Sequence, residues 1–239
     1  MNMNRALRTA AVGTAAAIAL VAGAVSPAVA AGTPAASPAP RTLAAIQAAG
    51  AKQTSQRTVS LTTAISKVTA NTQLSSTDRS TILATLNGDL AGMSTVASAI
   101  AADTSVTQAS ADFKSIFTTY RVYAVALPQA HLAAAADGLE ASAIPKLTAA
   151  EQKLAAALAG KFATKSTPAL QADLADMTTQ IATAQTSLSG LAANALAATP
   201  EAYDANHAVL TPVRQSLATA TAAVKQARAD AKTVLAALK

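Results

Sequence analysis

The side chains of this 239-residue chain that could do chemistry gather in one short stretch. Four of its six aromatic residues, Phe113, Phe117, Tyr120 and Tyr123, sit close together in sequence. Phe113, Phe117 and Tyr120 are spaced i, i+4 and i+7, which is one face of a helix. Arg121 adds a cation, and His131, just beyond Pro128, adds an imidazole. Rings beside a guanidinium make a surface on which a ligand can stack, with Tyr120, Arg121, Tyr123 and His131 as its contacts. The same rings serve as the hydrophobic anchor of a core that otherwise has few large side chains. That second reading of the aromatic cluster is the preferred one.

A second constellation is Glu201-x-x-Asp204-x-x-His207, whose spacing puts three side chains along one helical face. Asp204-x-x-His207 has the form of the carboxylate-x-x-His pairs of di-iron bundles, which need a second pair and two further Glu residues. Here Pro128 stands three before His131, and Glu140, Glu151 and Glu201 are the only glutamates. No metal or other cofactor is therefore expected. The chain also lacks a Gly-x-Ser-x-Gly elbow, a His-Glu-x-x-His pair and a glycine-rich phosphate loop. The expectation is a protein that is not an enzyme. A metal-binding or enzymatic role for His131 or His207 is the remote alternative.

The elements that carry these residues follow from composition. Aromatics make up 3% of the chain, tryptophan is absent, and there are 68 alanines. A core of this kind brings backbones close together instead of filling space with bulk, and alanine is the best helix former. The expected fold is all-α, an elongated antiparallel helical bundle with coiled-coil-like, alanine-rich packing.

The amino terminus directs the chain out of the cytoplasm. Arg5 and Arg8 precede an apolar run from Ala10 to Val25, and Ala28-Val29-Ala30 is a small-x-small cleavage site. Residues 1–30 are read as a signal peptide and 31–40, with Pro34, Pro38 and Pro40, as a Pro/Ala-rich flexible leader. The bundle domain is expected over residues 41–239. With no cysteine the chain has no disulfide framework. No long apolar run follows the signal, so no transmembrane segment is expected after cleavage.

Charge is unevenly distributed. Residues 31–71 carry Arg41, Lys52, Arg57 and Lys67 and no acid, and residues 212–239 carry five cations against Asp230. Residues 72–211 hold 7 basic and 11 acidic groups. The terminal helices either lie beside the acidic ones or meet an external polyanion, and the first is favoured. Nucleic acid is not expected as a partner, given export and the lack of a dense basic patch or an aromatic stacking platform.

Hydrophobic periodicity places a first helix from about Arg41 to Asn71, with a break or exposed stretch near Gly50 because Lys52 to Thr58 is polar. A second helix starts near Ser76 as N-cap and buries Leu83, Leu86, Leu90, Met93, Ala97 and Ile100. A third spans about Thr107 to Thr119. Tyr120 to Pro128 reads as irregular, with Leu127 pushed toward extended backbone by Pro128. A long helix from Gln129 is kinked at Pro145 and stopped by Gly160. Thr167-Pro168 opens a helix whose apolar rhythm continues to Ala198, and the last helix is kinked or restarted at Pro212.

Two segments, Tyr120-Arg121-Val122-Tyr123-Ala124-Val125-Ala126-Leu127-Pro128-Gln129-Ala130-His131-Leu132 and Asn206-His207-Ala208-Val209-Leu210-Thr211-Pro212-Val213-Arg214-Gln215-Ser216-Leu217, carry a resemblance. They resemble uncharacterised secreted, alanine-rich helical proteins of actinobacteria. The resemblance covers about residues 75–239 and implies export and a helical bundle, with no activity or site attached. The expected function is a structural or binding role at the cell surface or envelope, secreted or wall-associated, toward an anionic polymer or another protein. The alternative is a peripheral protein whose amphipathic helices bind anionic lipid.

Overall fold

The computed structural model describes residues 42–239, so residues 1–30 and 31–40, read above as signal peptide and leader, lie outside the described residues. Among the described residues there is no β-strand; the chain is an all-α bundle. Its helices are α1 (Leu43–Ala70), α2 (Ser76–Ala102), α3 (Val106–Thr118), α4 (Leu127–Gly138), α5 (Ile144–Ala159), α6 (Pro168–Leu188), α7 (Leu191–Leu196), α8 (Pro200–Ala205) and α9 (Thr211–Ala237).

Helix starts are set by local chemistry. The Thr42, Ser75, Ser105, Thr167 and Thr199 hydroxyls each accept a backbone N–H of the following first turn. The N-cap of α2 is Ser75, one residue before the expected Ser76. Pro168 and Pro200 follow their caps in the first turn, where no N–H is needed.

Helices α1, α2 and α3 pack as one antiparallel group. Gln47 near the start of α1 donates to the Ala101 and Asp103 carbonyls at the end of α2, at 3.3 and 3.1 Å. A second group is built from α5, α6 and α9. Lys165, ahead of α6, donates to the Leu238 carbonyl after α9, and Thr178 of α6 donates to Glu151 of α5. The contact of α6 with α9 is the most extensive in the molecule, followed by that of α1 with α2. Helices α4 and α7 pack against each other and touch both groups, and one continuous core results.

Small residues let these axes approach. Ala184, Ala220 and Ala227 are wholly buried at the α6–α9 seam, alongside Met177 and Leu188. Gly50 is buried in α1 against Ile100 of α2, where an added Cβ would come within 2.8 Å of Ile100 Cγ2. The expected break at Gly50 is absent, because that glycine is a contact point and α1 runs through it. The polar stretch after it is exposed at Lys52, Ser55 and Gln56 but buries Thr54 and Arg57, in phase with Ile46, Gly50, Leu61 and Val68. In α2 the buried face is Ile82, Leu86, Met93, Val96 and Ile100, rotated slightly from the expected one.

The two internal X-Pro pairs are accommodated alike. Val122–Ala126 and Leu139–Ala143 form π-helical turns directly before Leu127-Pro128 and Ile144-Pro145. A proline removes one donor and crowds the carbonyl of the preceding turn, and a widened turn relieves both. Leu127 is therefore α-helical (φ −70°, ψ −44°), not extended, and Tyr120 to Pro128 is helical over most of its length. Likewise the chain from Leu127 to Ala159 is one helical path with its irregularity ahead of Pro145. The run from Leu170 to Ala198 does break: Gly190 adopts φ +66° and separates α6 from α7. Leucine or alanine would be strained there, which glycine is not.

Glycines four apart on α2 have opposite expectations. Gly88 has nothing within 4 Å of an added Cβ, whereas at Gly92 that atom would lie 2.0 Å from Tyr120 Cε1. Gly88→Ala should stabilise by about 0.5–1 kcal/mol through helix propensity. Gly92→Ala should destabilise by about 1–3 kcal/mol through overpacking, despite the same propensity gain. Thermal unfolding of the two variants checks both signs.

Candidate functional site

The aromatic segment divides between core and surface. Val122, Val125, Ala126 and Ala130 are buried, whereas Tyr123 is 48% exposed and His131 is exposed. Phe113, Phe117 and Tyr120 pack partly buried against the core, with the Phe113 and Phe117 rings 5.3 Å apart. The reading of the aromatics as a hydrophobic anchor thus holds for three rings and fails for Tyr123. Tyr120 and Tyr123 are not on one continuous helix: α3 ends at Thr118, and the left-handed Arg121 lies between them ahead of the π turn.

Each of the four candidate residues has its own surroundings. Tyr120 fills the space over Gly92. Arg121 has φ +46°, the sole non-glycine residue with a positive φ among those described. It forms an ion pair with Asp204 and lies 5.2 Å over the Tyr203 ring. Tyr123 shares a 3.1 Å hydrogen bond with the Ser60 hydroxyl. His131 is on α4 with no hydrogen bond or ring contact to the other three, and crowding by its neighbours holds its pKa below the ordinary 6.5.

The residue that the sequence pattern did not single out is Arg57. It is only 5% exposed and lies between two rings, with its Cζ 4.6 Å from the Phe117 centroid and 4.8 Å from that of Tyr123. Nη1 donates to the Gln53 carbonyl at 3.0 Å and to Gln53 Oε1 at 2.6 Å. Burial lowers its pKa, partly offset by the Tyr123 phenol. No carboxylate pairs with it: among the described residues the one ion pair is Arg121 with Asp204. The signal was available as a cation in phase with the apolar stripe of α1.

Glu201, Asp204 and His207 do not share a helical face, because α8 ends at Ala205 and Asn206 is extended. Asp204 turns to Arg121, while the His207 ring meets Tyr203 edge-on at 4.7 Å. Among the described residues no three His, Asp or Glu side chains are grouped to hold a metal ion. Helix α8 has no buried residue, so Arg121 is its main polar tether. Asp204→Asn should cost under about 1 kcal/mol, as expected for an exposed pair. Amide exchange in residues 200–205 should quicken while α6 and α9 stay protected, which exchange mass spectrometry reads.

Several carboxylates are held above their ordinary range. Burial pushes Asp89 up to about 6, and one of its oxygens is buried without a partner. Asp137 is raised by burial, opposed by the Ser75 N–H that donates to it at 2.8 Å. Glu140 is raised by burial and then by Asp137 and Asp78, and Asp230 by burial and then by Asp176 and Asp173 against the Gln226 hydrogen bond. An acid with a raised folded pKa binds its proton more readily folded than unfolded. Stability is therefore gained as pH falls from 7 toward 4 and lost as pH rises through the folded value. His131 has the opposite sign and weakens the fold below its ordinary 6.5. The melting temperature should be higher at pH 5.5 than at pH 8, given Asp89 near 6. Asp89→Asn should raise it at pH 8 by the equivalent of about 1 kcal/mol, allowing for solvent screening.

Tyr123 and Ser60 thus form a stacking surface with the Arg57 cation beneath it, while Arg121 serves the attachment of α8. No protein-family model, no curated protein and no solved structure matches the chain.

Proposed function

We propose that this is an exported, non-enzymatic helical-bundle protein that binds an anionic component of the cell envelope, with the ligand meeting the Tyr123 face. The observation that carries this is a tyrosine held 48% exposed over a buried arginine and fixed by Ser60. An aromatic face on a rigid helical frame, with a cation beneath it, suits an anionic or polyhydroxylated ligand. The signal-peptide pattern and the resemblance to secreted actinobacterial helical proteins support export. Lys225, Arg228 and Lys232 support an anionic partner, being exposed on α9 and in no ion pair among the described residues.

The same α9 cations favour a second reading, a peripheral association with anionic lipid. Among the described residues no helix is long and apolar enough to cross a membrane. A pull-down of the mature protein against cell-envelope fractions, with vesicles of phosphatidylglycerol in parallel, tests both. Salt-sensitive retention on the wall fraction is the expected result. Retention on vesicles alone moves the reading to lipid, and retention on neither ends it.

A further inference from the structure

We infer that Arg57 is an oxyanion-binding residue, receiving one carboxylate or phosphate group on the Nε–Nη2 edge of its guanidinium behind the Tyr123 ring. The inference rests on the binding role proposed above and names the chemical group that would be recognised. Three observations carry it. Arg57 is 5% exposed and has no acid within ion-pairing distance among the described residues, so a positive charge is buried without a counter-charge. Its hydrogen bonds are all on one side: Nη1 is committed to Gln53, while Nη2 has no acceptor and Nε is buried without one. The unused Nε–Nη2 pair is the side-on fork that matches two oxygens of a carboxylate or phosphate.

The third observation is how the fork is closed. Phe117 is partly buried against the core, and its centroid lies 4.6 Å from Cζ. Tyr123, whose centroid lies 4.8 Å from Cζ, is 48% exposed and its phenol shares one hydrogen bond with the Ser60 hydroxyl. A buried N–H without an acceptor is costly, so one that is retained calls for an explanation. Of the two arms only Nε is buried without a partner, so displacement of the Tyr123 ring, held by its one bond to Ser60, would give an anion access to it without moving a helix. Gln53 and Phe117 keep the guanidinium in place while that happens. The surrounding charge suits an anion, since α1 contributes Lys52, Arg57 and Lys67 and no acid.

The test is a titration of the full mature protein, watched at the Arg57 Nε–H resonance and assigned by its loss in Arg57→Lys. The probes are inorganic phosphate, acetate and phosphatidylglycerol vesicles, each against chloride at equal ionic strength. The expected result is a saturable shift of that one resonance by phosphate and by acetate, half complete near about 1–10 mM. Arg57→Lys keeps the charge and loses the fork, and should bind either anion at least about tenfold more weakly. A shift with vesicles but not with free phosphate assigns the group to a lipid headgroup. An Arg57 resonance unmoved by all three probes overturns the inference, whether or not Arg57→Lys folds. If envelope material is retained equally by wild type and Arg57→Lys, the binding role stands and the oxyanion site falls.

Discussion

Met177→Ala is expected to destabilise the bundle by about 2–5 kcal/mol, and Ala227→Leu by about 1–3 kcal/mol. Both residues are 0% exposed, and they belong to the two helices with the most extensive contact. The antiparallel register, set by Lys165 beside Leu238 and by Asp173 and Asp176 beside Asp230, puts Met177 of α6 level with Ala227 of α9. A large residue on one helix is thus matched to a small one on the other. The first change leaves a cavity and the second forces the axes apart. Made together they exchange volume across the seam, so the double variant should lose less than the two single losses combined. Denaturant unfolding of all four proteins measures this coupling. Additive losses would mean that the seam is not built from matched sizes.

Tyr120 and Tyr123 are expected to separate stability from binding. Tyr120→Ala empties the space over Gly92, and a partly buried ring lost there should cost about 2–3 kcal/mol. Tyr123→Ala removes an exposed ring, its Ser60 bond and one of two stacking partners of Arg57, a loss of about 1 kcal/mol or less. Binding to the envelope fraction should respond in the reverse order, weakened about tenfold or more by Tyr123→Ala and little by Tyr120→Ala. Calorimetry and a binding isotherm on the same two variants give both orders. Two aromatic residues three apart would ordinarily share a helical face; here the left-handed Arg121, just ahead of the π turn at Val122–Ala126, separates them.

That turn shows where the sequence is legible and where it is not. The all-α bundle could be read from alanine content and periodicity, because both act locally and agree. The helix starts at Thr167-Pro168 and Thr199-Pro200 could be read for the same reason: a hydroxyl cap followed by proline is a local device. Leu127 could not. The rule that a residue before proline is extended assumes a normal α-turn, and tertiary packing supplied a wider one. Gly190 sits inside an unbroken apolar rhythm, so the pattern that marks α6 and α7 as one face also conceals their separation.

The candidate site was legible in part. Tyr123 and Arg121 are exposed or tethered where a surface role needs them, but the residue beneath Tyr123 comes from α1, sixty-six positions earlier in the chain. Lys52 to Thr58 reads as a polar interruption because hydropathy alone assigns arginine to solvent. Burial of Arg57 requires the Phe117 and Tyr123 rings and the Gln53 side chain, which only the packing of α1 on α3 and the π turn brings together. His131 carried the right chemistry at a neighbouring position, yet on α4 it makes no hydrogen bond or ring contact with that assembly.

The most direct test is an equilibrium isotherm of the purified mature protein on isolated envelope polymer, wild type against Tyr123→Ala, at low and at physiological salt. Saturable binding by the wild type that weakens with salt is expected, with a loss of about tenfold or more in the variant while its helical circular dichroism and melting temperature stay nearly unchanged. Equal binding by the two proteins would contradict it, and so would a variant that loses binding only because it has unfolded.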